Sequence, residues 1–468
     1  MATLLFFDDY YLNRWENLQR RVGQPELEPE ATFVDPAHGL ASGYPTVFRT
    51  ETGQWRCLYQ GKSISHMPAK ISFPLIAESD DGIHWEIPDL TENVPLPDRE
   101  FPNQVMSMDR FGQWDHYFDE RAEDPQERLK GLVTTKFGAL LYTSPDGLTW
   151  REVEGVEWRP GSPDPPSMAF WNELRQSYVI MARPGRNPHP RRLAVSETKD
   201  WRSFGESELT LRADALDLPL TELYGNPAFP YEDMFVGFVW VYNTVPYRAN
   251  DPTTHRKYYG GKTYGQLSYS YNGWHFHRSL RDPFIPNTST GELGAGIMRP
   301  MSMIIDDDYC IRIYSSASKL EHGYHIQGSD LGGHVMHRLR LDGFMYLESA
   351  GGPGTLGTRP LFWRGGALRL NLQSAHDARV QVTDVQGQTI EGYGFEDCRP
   401  FVGDELFWEP RWQNDIRMAD LSNQLLRLEI SLENARLYAI RGDLFAPSSR
   451  EVRRYLETGE EPKPVPGG

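Results

Sequence analysis

Three carboxylates occupy positions where they could do chemistry: Asp35 ahead of Pro36, Asp164 within Ser162-Pro163-Asp164-Pro165-Pro166, and Glu222 just before Leu223-Tyr224-Gly225. They lie far apart in the chain, so they act together only if the fold brings them to one place. If it does, one carboxyl can protonate a leaving oxygen while a second serves as nucleophile or as base for water, the requirement of glycosidic cleavage. A third can stabilise positive charge on a sugar ring. Mutual repulsion and partial desolvation would raise the pKa of one member and keep an acid available near neutrality. Glu222 is the expected acid. His38, Tyr44, Tyr224, Asn226, Glu292 and Arg299 are the expected substrate-binding residues around this trio. Arg299 sits inside the apolar run Gly296–Met303, which suits a strand lining a polar axis better than an outer one. Each residue also has a structural reading: Asp35 as a turn former, Asp164 as a backbone cap, Glu292 as a solvated loop acid, His38 as an ordinary loop histidine.

The elements that must position these residues are marked by a repeat. Ser79-Asp80-Asp81-Gly82-Ile83-His84-Trp85 returns as Ser144-Pro145-Asp146-Gly147-Leu148-Thr149-Trp150 and as Ser270-Tyr271-Asn272-Gly273-Trp274-His275-Phe276, with a looser copy at Ser196-Glu197-Thr198-Lys199-Asp200-Trp201. Asp-Gly or Asn-Gly between apolar runs predicts a hairpin, with positive φ at both central residues if the turn is type I′. One hairpin per unit, with an aromatic in a fixed place, marks a radial β-repeat. Units open near residues 43, 104, 167, 225 and 296, each with room for four short strands. The expected fold is all-β: a five-bladed β-propeller over 36–341, preceded by a lead-in over 1–35 and followed by an antiparallel β-sandwich over 342–445 and a frayed tail over 446–468. Within the lead-in, Tyr11–Arg21 is expected to form a brief helix, and the charged stretch Asp115–Lys130 to be a solvated hairpin tip. In a propeller the first strand of every blade lines the axis, so residues at those strand starts face one another.

Composition narrows the partners. The net charge of −17 offers no basic field for nucleic acid or an anionic membrane surface. High aromatic content, with 13 Trp and 23 Tyr among 468 residues, suits β-structure and sugar stacking. Three scattered cysteines, Cys57, Cys310 and Cys398, give neither a disulfide framework nor metal-ligand spacing. The N-terminal run meets Asp8-Asp9 after a short apolar stretch, without the basic start of a signal peptide, and no run approaches a membrane span. A cytoplasmic protein acting on a small molecule or oligosaccharide is the expectation, with the oligomeric state open. No Walker, Rossmann, HExxH or nucleophile-elbow motif is present, and no cofactor is expected from the residues.

The stretch Tyr44-Pro45-Thr46-Val47-Phe48 through Leu58-Tyr59-Gln60, together with the Ser-x-Asp-Gly-x-x-Trp hairpins, resembles the five-bladed propeller glycoside hydrolases of families 32, 43 and 68, and family-32-like proteins most of all. The resemblance covers about residues 30–445 at the level of architecture and implies a propeller followed by a sandwich. It implies glycoside hydrolysis of a furanoside or small oligosaccharide, and it leaves room for the axial divalent ion of some relatives. The family's nucleophile position falls on Tyr44, which is not a carboxylate. Arg281-Asp282-Pro283 lies away from the expected second-blade strand, and Glu222 is the nearest counterpart of the family's acid. A non-catalytic carbohydrate-binding or scaffold propeller is therefore the alternative.

Overall fold

The computed structural model describes residues 2–35, 43–62, 72–107, 113–135, 138–157, 168–184, 190–250, 257–322, 331–349 and 351–464. Among the described residues the regular secondary structure is nearly all strand, and the chain divides into two compact units, Met1–Gln24 with Arg340–Gly468, and Pro25–Leu339.

In the unit Pro25–Leu339, short antiparallel sheets follow one another along the chain. Gly43–Arg49, Trp55–Lys62 and Ser72–Ser79 form the first. Gln113–Phe118, Leu129–Thr135, Gly138–Ser144 and Arg151–Val153 form the second. Met168–Asn172, Ser177–Ala182, Leu193–Thr198 and Glu208–Leu211 form the third. Ala228–Tyr231 and Thr221–Leu223 both pair with Met234–Asn250, which pairs with Lys257–Ser270. Ile297–Ile305 pairs with Cys310–Ser318, and Gly332–Arg340 pairs with the early strand Glu26–Phe33, so the last sheet takes a strand from the start of the unit. One residue pair, Thr263 with Ile297, links these last two groups. The leading strands neighbour each other in turn: Gly43–Arg49 lies beside Gln113–Phe118, that beside Met168–Asn172, that beside Ala228–Tyr231, and Ile297–Ile305 lies beside Gly43–Arg49.

All four copies of the hairpin motif form the same hydrogen-bonded tip. Ser79 Oγ accepts from Gly82 N at 3.0 Å, and Asp81 Oδ1 accepts from Ile83 N and His84 N at 2.8 and 2.9 Å. Ser144 and Asp146 repeat this around Gly147, as do Ser270 and Asn272 around Gly273. Thr198 and Asp200 do so around Trp201. The turn differs from the expected type I′, because positive φ falls only on Gly82, Gly147, Trp201 and Gly273 and not on the Asp or Asn before them. The side-chain oxygens satisfy the tip N–H groups, so a second left-handed residue is not needed. A left-handed Trp201 costs about 1–2 kcal/mol, offset by its ring lying 5.6 Å from Tyr117 and 5.0 Å from Tyr178.

Neighbouring sheets hold these tips. Tyr314 Oη donates to the Gly82 carbonyl at 3.0 Å and Arg312 Nη1 to the Asp81 carbonyl at 2.5 Å. Arg56 Nη1 donates to the Asp146 carbonyl and Asn172 Nδ2 to the Asn272 carbonyl, both at 2.8 Å. Between the second and third sheets the contact is a tyrosine hydroxyl donating to a buried ion pair. Asp119 is fully buried, accepts from Lys130 Nζ at 2.6 Å and from Tyr178 Oη at 2.7 Å, and so corrects the reading of Asp115–Lys130 as a solvated tip.

The other unit is built on the long strands Leu361–Thr383 and Gln424–Phe445, which pair with each other. Met345–Ser349, Gly354–Thr358, Phe401–Trp408 and three N-terminal strands complete the sheet. The N-terminal segment is thus structural and not a lead-in. Ala2–Leu5, Leu12–Glu16 and Leu18–Val22 pair with Gln424–Phe445, Gly354–Thr358 and Met345–Ser349. The expected helix over Tyr11–Arg21 is absent because Asn17, at φ 52°, separates two strands. The core gathers Leu4, Phe6, Trp363, Leu370, Leu428, Ile430 and Trp412. Beside it the buried Asp342 carboxylate takes both terminal nitrogens of Arg441 at 2.5 Å and Asn371 Nδ2 at 2.9 Å. The tail is also more ordered than expected. Ser449–Thr458 is a helix, capped by Ser448 Oγ accepting from Glu451 N and ended by a left-handed Gly459.

Two substitutions rank these contacts. Asp119→Asn strands a buried ammonium and should cost about 3–5 kcal/mol, whereas Tyr314→Phe removes one neutral hydrogen bond and should cost about 1 kcal/mol. Urea unfolding of both variants checks the order, and equal losses would contradict it.

Candidate functional site

The candidate residues do not all meet. Glu222, Tyr224, Tyr44 and Arg299 share one cluster, Asp35 sits in another, Asn226 and Glu292 serve local structure, and His38 and Asp164 lie outside the described residues.

The first cluster is centred on the buried Tyr224 ring. Met234–Asn250 brings Trp240 and Tyr242 to one face, since alternate residues of a strand point the same way. Trp240 lies 6.3 Å from Tyr224 and Tyr242 lies 6.0 Å from it, and Tyr44 stacks on Trp240 at 5.5 Å with planes 8° apart. Met168 and Met301 complete the apolar part. Three guanidinium groups surround the same ring: Arg299 at 4.1 Å, Arg183 at 4.3 Å and Arg191 at 5.1 Å from its centroid. A cation over an aromatic face is attracted by the ring quadrupole. Arg191 also forms an ion pair with Glu222, and Arg183 Nη2 donates to the Tyr224 carbonyl at 3.3 Å. His322 lies 5.3 Å from Tyr224 and 4.9 Å from Tyr242, with Nδ1 3.2 Å from the Tyr242 hydroxyl. Burial first, then Glu222 and Tyr224, pushes the Tyr242 hydroxyl well above its ordinary range, with Arg191 and Arg299 opposing, so it stays protonated as a donor. Most of the cluster is buried, and Arg191 and His322 are its partly exposed members.

Glu222, the expected acid, is ion-paired with Arg191, an arrangement equally open to a base or a nucleophile.

Asp35 forms the second cluster, at the end of Glu26–Phe33. Only 1% exposed, it accepts from Tyr59 Oη at 2.6 Å, and Asn103 Nδ2 donates to the same Tyr59 oxygen at 2.9 Å. His334 lies beside it, 5.1 Å from the Tyr59 ring, and neither of its ring nitrogens has a hydrogen-bond partner among the described residues. Burial lowers the His334 pKa to about 4, against an opposing pull from Asp35, so His334 is neutral beside Asp35 above that pH.

Two predicted binding residues make local structural contacts. Asn226 is fully buried, and its Oδ1 accepts from Ser268 Oγ at 2.9 Å, tying its loop to the neighbouring strand. Glu292 is exposed and turns back to accept from Ser289 N at 3.2 Å, which holds its own loop. Sequence reasoning missed Arg183, Arg191, Trp240, Tyr242 and His322. The alternation Trp240-Val241-Tyr242 was the available signal for two of them, and nothing local marked the arginines.

A separate cavity of about 370 Å³ lies beside the first and second sheets, lined by Gln60, Leu96, Trp114, Tyr142, Leu148 and Trp150 among others. Among the described residues no carboxylate lines it. Among the described residues no group of three His, Cys, Asp or Glu is placed to hold a metal ion.

No family model and no curated protein matches the chain. Solved structures to which it is similar include a glycoside hydrolase, at 14% identity and a TM-score of 0.46 over 68% of this chain and 92% of that one. A thermostable family-43 glycoside hydrolase is similar at 12% identity and a TM-score of 0.43, over 67% and 95%. A fructofuranosidase from Schwanniomyces occidentalis complexed with fructosylnystose is similar at 9% identity and a TM-score of 0.43, over 91% and 98%.

The His334 environment makes stability pH-dependent. Its folded pKa of about 4 lies below an unfolded value near 6.5, so between those limits the unfolded state binds more protons. Stability is therefore at its plateau above about pH 6.5 and falls as pH drops toward 4, by up to about 3 kcal/mol from this group. In His334→Phe the urea midpoint should fall less over the same window, and an unchanged slope would contradict the assignment.

Proposed function

We propose that the chain is a glycoside hydrolase-like enzyme acting on a furanoside or small oligosaccharide. In this reading Pro25–Leu339 is a five-bladed propeller and the other unit a β-sandwich. The order of neighbouring leading strands supports the ring, as does the early strand Glu26–Phe33 that completes the last sheet. The observation that carries the functional reading is Glu222, a buried carboxylate just ahead of a leading strand, set among Tyr224, Tyr242 and Trp240. Aromatic faces of this kind stack on sugar rings, and a carboxylate beside them is placed to attack an anomeric carbon or to activate water. Asp35, buried ahead of the strand Gly43–Arg49, is the second carboxylate of the scheme. Asp164 is proposed as the proton donor, because Glu222 is ion-paired and Asp35 accepts the Tyr59 hydrogen bond.

One observation favours a second reading. Both described carboxylates already have protein partners, Arg191 for Glu222 and Tyr59 for Asp35, as in a polar network that only binds. The two readings separate in a hydrolysis assay on a panel of aryl furanosides and pyranosides. For the enzyme, the wild type turns over at least one substrate, and Glu222→Gln and Asp164→Asn each lower kcat by roughly 10²–10⁴-fold. Absence of turnover on every substrate, with sugar binding retained, would replace the enzyme by a carbohydrate-binding module.

A further inference from the structure

The cavity beside the first and second sheets is partly open to solvent, and its volume of about 370 Å³ is that of a small-molecule site. Three rings shape its wall. Trp114 stacks on Tyr142, with centroids 5.6 Å and planes 30° apart, and meets Trp150 edge-on at 5.0 Å and 83°. The two indoles thus stand at nearly a right angle. Gly131 lets them close in from the strand Leu129–Thr135, because a Cβ there would lie 3.0 Å from each. Glycine inside a strand marks a place where another group must come near. Among the described residues no charged side chain lines the cavity. Gln60, Asn93, Ser107 and Thr149 add uncharged polar groups, and Gln60 Nε2 already donates to the Trp114 carbonyl. His116 lies 5.0 Å from Trp114 and 5.8 Å from Trp150, and burial pushes its pKa well below the ordinary range, so it brings no charge to this wall near neutrality. A charged ligand would lose its water here without a counter-charge, and a sugar would leave hydroxyls unpaired. A flat neutral ring loses little water and gains stacked and edge-to-face contacts. One donor is also waiting. Trp114 is 4% exposed, and its Nε1 has no hydrogen-bond partner among the described residues. Buried N–H groups are nearly always satisfied, so this one favours a ligand that carries an acceptor.

We propose that this cavity is a second binding site, for a small neutral aromatic molecule whose one acceptor oxygen takes the Trp114 N–H, and that it selects such rings over sugars and over aromatic anions. The site shares no residue with the Tyr224 cluster, so it stands or falls apart from the hydrolase reading. An aryl ketone has both features, a ring for the corner between the indoles and a carbonyl for the donor.

The test is binding of acetophenone, isopropylbenzene, cyclohexyl methyl ketone, benzoate and methyl galactopyranoside to the full chain, followed by ligand-observed NMR titration. Acetophenone should bind at least about tenfold more tightly than benzoate or the galactoside. The cyclohexyl ketone, with the same oxygen and no aromatic ring, should bind about threefold more weakly than acetophenone. Trp114→Phe should lower acetophenone affinity by about fivefold and leave isopropylbenzene, which has the shape without the oxygen, unchanged. Leu96→Trp, which fills the cavity from a half-buried position in its lining, should abolish binding of every aromatic probe. No acetophenone binding at millimolar concentration would overturn the proposal, as would benzoate or the galactoside binding as tightly as acetophenone. Acetophenone binding that survives Leu96→Trp would place it elsewhere and overturn the site. An equal loss for acetophenone and isopropylbenzene in Trp114→Phe would overturn the hydrogen bond. If Trp114→Phe does not fold, the wild-type panel and Leu96→Trp decide.

Discussion

The unit Pro25–Leu339 depends on one recurring contact: a side chain from one sheet donates a hydrogen bond to a carbonyl at the hairpin tip of the next. Tyr314 and Arg312 hold the Asp81–Gly82 tip, Arg56 holds Asp146, and Asn172 holds Asn272. The tips can be held because Ser and Asp side chains have already satisfied their N–H groups, which leaves carbonyls free to accept. A small sheet of three or four strands must bury its apolar face against another element. Fixing each to its neighbour converts them into one unit, and the apolar clusters around Trp55, Val179 and Leu58 then fill the spaces. Glycine at the tip is part of the device. A Cβ on Gly82 would lie 2.8 Å from the Tyr314 hydroxyl and 2.9 Å from the Trp55 ring, at a φ of 73°.

The same arrangement places the site. Residues at the leading ends of the inner strands are enclosed by neighbours on both sides, so polar groups there are desolvated together. That explains how Glu222, three arginines and four aromatic rings come to share one buried cluster, and how Asp35 comes to lie beside a neutral histidine. Desolvation strengthens each electrostatic contact and penalises each unmatched one.

Much of the strand order was legible in the sequence, because Ser-x-Asp-Gly carries its own hydrogen bonds and does not need the rest of the fold to form. Local chemistry of the same kind marked the missed helix, in Ser448, Glu451 and Gly459, but Pro- and Glu-rich composition obscured it. The N-terminal strands were less legible, since their partners lie more than 300 residues away and only pairing distinguishes them from a helix. Within the site, Glu222 and Arg299 were legible as polar residues beside or inside apolar strands. Arg183, Arg191 and His322 were not, because they belong to connecting segments whose position is set by tertiary structure alone. Asn226 and Glu292 looked equally suitable on paper, and hydrogen bonds to Ser268 and Ser289 gave them other work. The charge run holding Asp119 and Lys130 misled for a related reason: sequence shows both charges but not that they are buried against each other.

The central claim is that carbohydrate chemistry belongs to the Tyr224 cluster. A crystal structure of the protein soaked with an oligosaccharide tests it most directly. The account predicts sugar density against Tyr224, Tyr242 or Trp240, with a ring oxygen or hydroxyl in hydrogen-bond reach of Glu222. Density confined to the cavity lined by Trp114 and Trp150, with the Tyr224 cluster unchanged, would contradict it.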